Sequence, residues 1–275
     1  MRQSIILLSL KESLISIYKH KSIFAILVFL ELAFIVSLGV VQFKYQFEII
    51  DNSREILEYY QQLNLEEDSL GNSITEGKDI LGSDPLLIYR KFKELVSLTI
   101  ILVLSTVGII LFFNSLNWSL TELIFSKMDS KGFFGHFWKV LLINFIYLLG
   151  ISIVLFLIFQ KFYLNMISQS PIYLIIGLTH ISLILYFMLI SFSLSNYTMG
   201  KRIIKGISLG LKKAHYLLSI YILIIAFLAG MGLLLLLLQN QHIALLLFAV
   251  IVFVASFIIF RIFLITLIRK LDDRY

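Results

Sequence analysis

The chain has no cysteine, which excludes disulfides, thiolate metal sites and cysteine nucleophiles from the outset. It is poor in charge as well. Asp, Glu, Lys and Arg make up 15% of its 275 residues, against ~25% in an average soluble domain. Catalytic signatures are missing too: the sequence holds no Gly-rich phosphate loop, no His-Glu-x-x-His pair and no nucleophile elbow. No catalytic residue, cofactor or metal is therefore assigned. The N-terminal run Ile5-Ile6-Leu7-Leu8 is broken by Ser9, Lys11 and Glu12 and is followed by no small-residue cleavage site. It is too short for a signal-peptide core, so the first long apolar run reads as an uncleaved anchor.

Apolar length is what the chain does have. Hydrophobic residues are 59% of the total, and they gather in six runs at about 22–43, 95–116, 137–159, 172–192, 216–238 and 243–263. A hydrocarbon core of ~30 Å takes ~20 residues at helical rise, and each run is long enough. Lipid offers a backbone no hydrogen-bond partner, so runs that cross it are helices. The expected fold is an all-α, polytopic membrane bundle of six transmembrane helices forming a single membrane domain over 1–275.

Charge placement gives the expected orientation. Of the 23 Lys and Arg residues, 16 fall in the N-terminal segment, the second and fourth gaps, and the C-terminal end. The positive-inside rule then places both termini in the cytoplasm of a cell-membrane protein. The net charge of +6 is read as topology, with no nucleic-acid partner implied. Eleven of the 17 acidic residues lie in 44–94, the one long extracytoplasmic loop. Its first part keeps a helical period through Ile49, Ile56, Tyr60 and Leu63. Its middle, from Glu66 to Asp79, reads as an acidic turn, and Ser83-Asp84-Pro85 as a helix start. The picture is an antiparallel helical hairpin continuing helices one and two, either a docking surface or lid, or only a solvated connection. The residues Gln239-Asn240-Gln241-His242 join the last two spans as a tight outer turn.

Three cytoplasmic segments share one layout, an amphipathic helix followed by basic residues, a histidine, aromatics and a span. The first runs from Ser9 to His20, the second from Leu120 through Lys127 and Lys131 to His136, and the third from Gly200 to His215. In the third, Lys201, Lys205, Ser208, Lys212 and His215 share one face, and Ile203, Ile207, Leu211, Ala214 and Leu218 another. Such a helix lies in the interface with lysines on anionic headgroups, so Lys201, Lys205, Lys212 and Lys213 are candidate contacts to lipid or a partner. A threefold internal repeat follows, a device that builds transporters and also proteins that transport nothing. The three histidines are either a convergent metal or pH site, or amphipathic residues suited to the interface.

Glu31 lies near the middle of the first span, where a carboxylate costs ~2.5–3.5 kcal/mol on insertion scales and wants a partner or water. His180 is expected at the same depth, within ~5 Å at helical rise, and is the candidate partner. The pair is a proton-relay or substrate site on one reading and an interhelical hydrogen bond on the other. Asn144, Thr179 and Ser182 would extend a polar seam. Arg261 is expected to snorkel to headgroups. Gly206, Gly210, Gly150, Gly177 and Gly230 are candidate points of close helix approach. The sequons at Asn117 and Asn196 fall on the cytoplasmic side and are discounted.

The segment Ile204-Lys205-Gly206-Ile207-Ser208-Leu209-Gly210-Leu211-Lys212-Lys213-Ala214-His215-Tyr216, with the span from Leu217 to Ala229, carries a resemblance. It is similar to a loose group of uncharacterised prokaryotic six-helix membrane families, including the membrane domain attached to some glycerophosphodiester phosphodiesterases. They too place a basic amphipathic helix ahead of each span. The resemblance implies a six-helix bundle and little about function, and enzymatic activity is not carried over, because this chain lacks a phosphodiesterase catalytic domain.

Two functions remain open on sequence. One is a transport or permease-like component, with a variant resembling ABC-2-type permeases and their ATPase partner. The other is a non-transporting scaffold that binds other membrane subunits or anionic lipids. A membrane-embedded enzyme is a third, without a nucleophile or metal cluster to support it.

Overall fold

The computed structural model describes residues 5–62, 86–126, 128–164, 172–239 and 242–272. Among these the secondary structure is helical, in eight elements without a strand. They are α1 (Ile5–Lys19), α2 (Lys21–Gln62), α3 (Leu87–Leu123), α4 (Ser130–Leu164), α5 (Ile172–Ser193), α6 (Met199–Lys212), α7 (Ala214–Leu238) and α8 (Ile243–Asp272). All but α1 and α6 are long and apolar enough to cross a membrane. This is the architecture of a multi-pass helical membrane protein. Its surface agrees: Phe29, Phe156 and Leu237 stand 71%, 66% and 79% exposed. Large apolar side chains presented this way need a nonpolar solvent or a partner.

The chain divides into two compact units, 33–110 and a second made of 1–32 with 111–275. In the first, α2 and α3 run on past the expected ends of their spans as an antiparallel pair. Lys91 of α3 donates to Asn52 at 3.2 Å and pairs with Glu55 of α2 at 2.8 Å. Gln42 reaches Thr106 at 3.4 Å. The acidic turn and the Ser83-Asp84-Pro85 start fall outside the described residues, as do Lys127, Asn240 and Gln241.

In the second unit α4 packs on α5, α5 on α6, α7 on α8, and α1 along α8. From Arg261 to Ile268 every residue of α8 is buried, so this stretch of the helix is sheathed on all sides. A helix buried all round should be apolar all round, and Ile262-Phe263-Leu264-Ile265 and Leu267-Ile268 meet that demand.

Of the three expected amphipathic segments, α1 and α6 are separate short helices. The middle one is not. Leu120 belongs to α3 and Lys131 to α4. The break falls between them, where the Asp129 carboxylate accepts the Gly132 amide at 2.8 Å and caps α4. The face of α6 is also more divided than its periodicity suggests. Arg202, Gly206, Leu209 and Gly210 turn into the protein.

Glycine decides the α5–α6 contact. A Cβ on Gly206 would lie 2.4 Å from the Ser191 hydroxyl and 3.2 Å from its Cα, and one on Gly210 would lie 2.9 Å from the Phe187 ring. The Tyr186 hydroxyl donates to the Gly210 carbonyl at 2.9 Å. Gly177 is likewise crowded by Ile158, whereas Gly150 meets only an ordinary contact and Gly230 open space. Gly206→Ala should therefore destabilise the protein by about 1–3 kcal/mol through overpacking. Gly230→Ala should be neutral or stabilising by up to ~1 kcal/mol through helix propensity. Thermal unfolding in detergent checks both. Equal melting shifts for the two would remove the close approach.

Candidate functional site: a buried charged layer around α8

Helix α8 carries four charged residues, and each pairs with a different helix. Arg261 bonds Glu31 of α2. Arg269 reaches both carboxylate oxygens of Glu122 of α3 at 2.6 Å. Lys270 pairs with Glu12 of α1 at 2.6 Å, and Asp272 with Lys205 of α6 at 2.6 Å. Charge-assisted bonds of this kind are roughly twice as strong as neutral ones, so a mismatch is costly at the enclosed Glu31 and Glu122 pairs and less so at the more exposed Lys270–Glu12 and Lys205–Asp272 pairs.

The innermost pair is the most enclosed. Glu31 is 6% and Arg261 4% exposed. The guanidinium also lies 5.6 Å from the Trp118 ring centre and 5.2 Å from that of Phe257, within cation–π range. Arg261 thus does not snorkel to the surface. It points inward because α8 continues as a buried helix well beyond residue 263, the expected end of its span.

A second cluster surrounds Arg202, which is 1% exposed. Its guanidinium donates to the carbonyls of Tyr197 (2.9 Å) and Ser195 (2.5 Å), and Nη2 lies 3.3 Å from His136 Nδ1. Burial pushes the Arg202 pKa down to about 10 despite the attraction of Glu122, and it remains cationic at neutral pH. Arg269 completes the cluster by donating to the Ser195 hydroxyl at 2.7 Å, with its Cζ 4.9 Å from the Phe125 ring centre. The two arginines both bond the turn between α5 and α6. Nearby, Lys205 bonds the Tyr197 hydroxyl, which donates to Asp272 at 2.8 Å. The Asp272 hydrogen bond, followed by that of Tyr197, raises the Lys205 pKa.

The expected polar seam is not formed. Glu31 is taken by Arg261, and His180 is exposed with Nδ1 2.7 Å from the Ile176 carbonyl of its own helix. Thr179 bonds the Ile175 carbonyl, and Ser182 is paired with Tyr221. Asn144 is buried at 1% exposure with its Nδ2 lacking a protein partner. The three repeat histidines also part company. His136 is buried on Arg202, His20 is half-buried at the α1–α2 turn, and His215 is exposed with its ring 4.1 Å from that of Tyr216. Lys201 and Lys212 are exposed, and Lys205 is partly buried by its partners. The sequon residue Asn117 is buried at 1% exposure.

Sequence reasoning missed Glu122, Arg202 and Arg269 as buried partners. Arg202 and Arg269 were counted only as signs of orientation. The available signal was Glu122 itself, an acidic residue six positions past the end of an apolar run on a side otherwise rich in lysine.

The chain matches no family model, no curated protein and no solved structure. Its function therefore rests on its own geometry.

Removing one partner of a buried pair leaves a stranded charge, so Arg261→Met should cost about 3–5 kcal/mol. The double variant Glu31→Gln/Arg261→Met strands no charge and should recover most of that loss. Unfolding of the wild type, Glu31→Gln, Arg261→Met and the double variant in one detergent measures the coupling. Additive losses would show that the pair is not a unit.

Proposed function

We propose that this protein is a membrane scaffold, a multi-pass subunit that holds partner subunits or anionic lipid at the surface formed by α1, α6 and the end of α8. Its buried charges are structural in this reading. The observation that carries it is the closure of Glu31: the carboxylate is spent on Arg261, both are buried, and Trp118 and Phe257 lie beside the guanidinium. A carboxylate serving a solute path must meet water or cargo. The basic count supports a cytoplasmic side for the α1–α6–α8 surface, where anionic headgroups and soluble partners are found.

One observation favours the rival, a transport or permease-like component with or without an ATPase partner. Ser115, Asn117 and Ser119 of α3 and Asn144 of α4 keep buried polar atoms without a protein partner. Each unmade bond costs ~1–3 kcal/mol, which entering water would relieve.

The absence of native cysteine makes the test clean. Ser115→Cys and Asn144→Cys, in membrane fragments open to reagent on both faces, are treated with a small cationic methanethiosulfonate that cannot cross lipid. The scaffold reading expects no modification at either position and ready modification of Lys212→Cys on the surface. Rapid modification at Asn144→Cys would establish a water path through the bundle and overturn it.

A further inference from the structure

We propose that the groove between α6 and the end of α8 seats the phosphate of an anionic lipid headgroup. This deepens the scaffold reading, since it names what the α6 surface holds, and it rests on that reading.

The groove is lined by Lys205, Ser208, Leu209, Lys212, Lys213 and Asp272. Three lysines and one aspartate line it, and the Asp272 carboxylate is engaged by Lys205 and the Tyr197 hydroxyl. The lining is therefore cationic, with a serine hydroxyl available to donate as well. Lysine ammoniums and a hydroxyl suit phosphate oxygens, which accept from several directions at once. Lys205 is fixed in place by Asp272, Tyr197 and a cation–π contact at 4.0 Å from the Tyr197 ring centre. One wall of the groove is thus rigid before anything binds.

The apolar side of α6 says why the phosphate should belong to a lipid. Ile204, Ile207 and Leu211, spaced by three and four, are 71%, 40% and 65% exposed. They form a stripe separate from the packed Arg202, Gly206 and Gly210 face. A one-residue break at Lys213 leads directly into α7, where Tyr216, Leu218, Ile222 and Leu223 are exposed apolar residues at the start of a span. The stripe on α6 therefore adjoins surface that itself calls for acyl chains. A helix with one face on protein, one on acyl chains and one bearing lysines lies at the headgroup level. The groove opens on the lysine side, where lipid phosphates lie.

The test uses the full-length protein in a zwitterionic detergent, with its melting temperature followed during titration. The additives are short-chain phosphatidylglycerol, short-chain phosphatidylcholine and inorganic phosphate. Phosphatidylglycerol should raise the melting temperature, and the other two should not at matched concentration. Lys212→Gln/Lys213→Gln should bind phosphatidylglycerol roughly 30-fold more weakly, about fivefold for each lysine. Lys201→Gln, on α6 but outside the groove, should bind as the wild type does. Equal loss from Lys201→Gln would mean diffuse attraction, and an equal response to inorganic phosphate would mean an ion site. Unchanged binding by the double variant would mean no site here. Each of these results overturns the proposal. Entry of the thiol reagent at Asn144→Cys would instead sink the scaffold reading while leaving this binding result intact.

Discussion

The last three turns of α8 are a charged post enclosed by apolar packing, and the arrangement of the surrounding helices depends on matching those charges. Arg261, Arg269, Lys270 and Asp272 point to four different helices, and each finds an opposite charge. In lipid, acyl chains are as apolar as leucine, so hydrophobicity alone gives helices little reason to choose one neighbour over another. Close packing and polar pairing make the choice. Here α8 supplies the pairing and the glycines of α6 supply the packing.

Buried ion pairs of this kind are weak arguments for stability. Desolvation takes back much of what attraction supplies, and an apolar substitute is often as good. Their value is in discrimination. A helix docked one turn away would leave Glu31 or Glu122 facing apolar neighbours, at a cost of several kcal/mol. The pairs therefore set register, which suits a protein whose spans otherwise present similar runs of Leu, Ile and Phe. The same matching holds α6 firmly: Arg202 anchors its start, Gly206 and Gly210 set its distance from α5, and Lys205 ties it to α8. A surface helix held at three points is a preorganised platform rather than a loose amphipathic segment.

The six spans and the α2–α3 hairpin were legible because length and composition carry them. Lipid forces a long apolar run into a helix whatever its neighbours. The spacing of Gly206 and Gly210 was legible for the same local reason. The partner of Glu31 was not. Depth along a helix follows from counting residues, and it put His180 level with Glu31, but counting does not say which helices touch. Arg261 was set aside because the last apolar run ends near residue 263, where a long side chain ordinarily reaches headgroups. The helix instead runs on to Asp272 inside the bundle, so the end of hydrophobicity is not the end of burial. The surroundings of the three repeat segments were equally hidden. Three segments alike in residue type sit in three environments, because α3 and α4 absorb the middle one.

Enclosure of α8 is the claim most exposed to measurement. Single cysteines placed in turn from 261 to 268, and for comparison from 243 to 253, can be reacted with a maleimide that enters both water and lipid. Enclosure on every side predicts uniformly slow reaction across the first stretch, with no helical period, and mostly fast reaction across the second, with slower positions recurring every three to four residues at 246, 249 and 253. A clear three-to-four residue rhythm of fast labelling between 261 and 268 would show one face of α8 open, and would contradict the account.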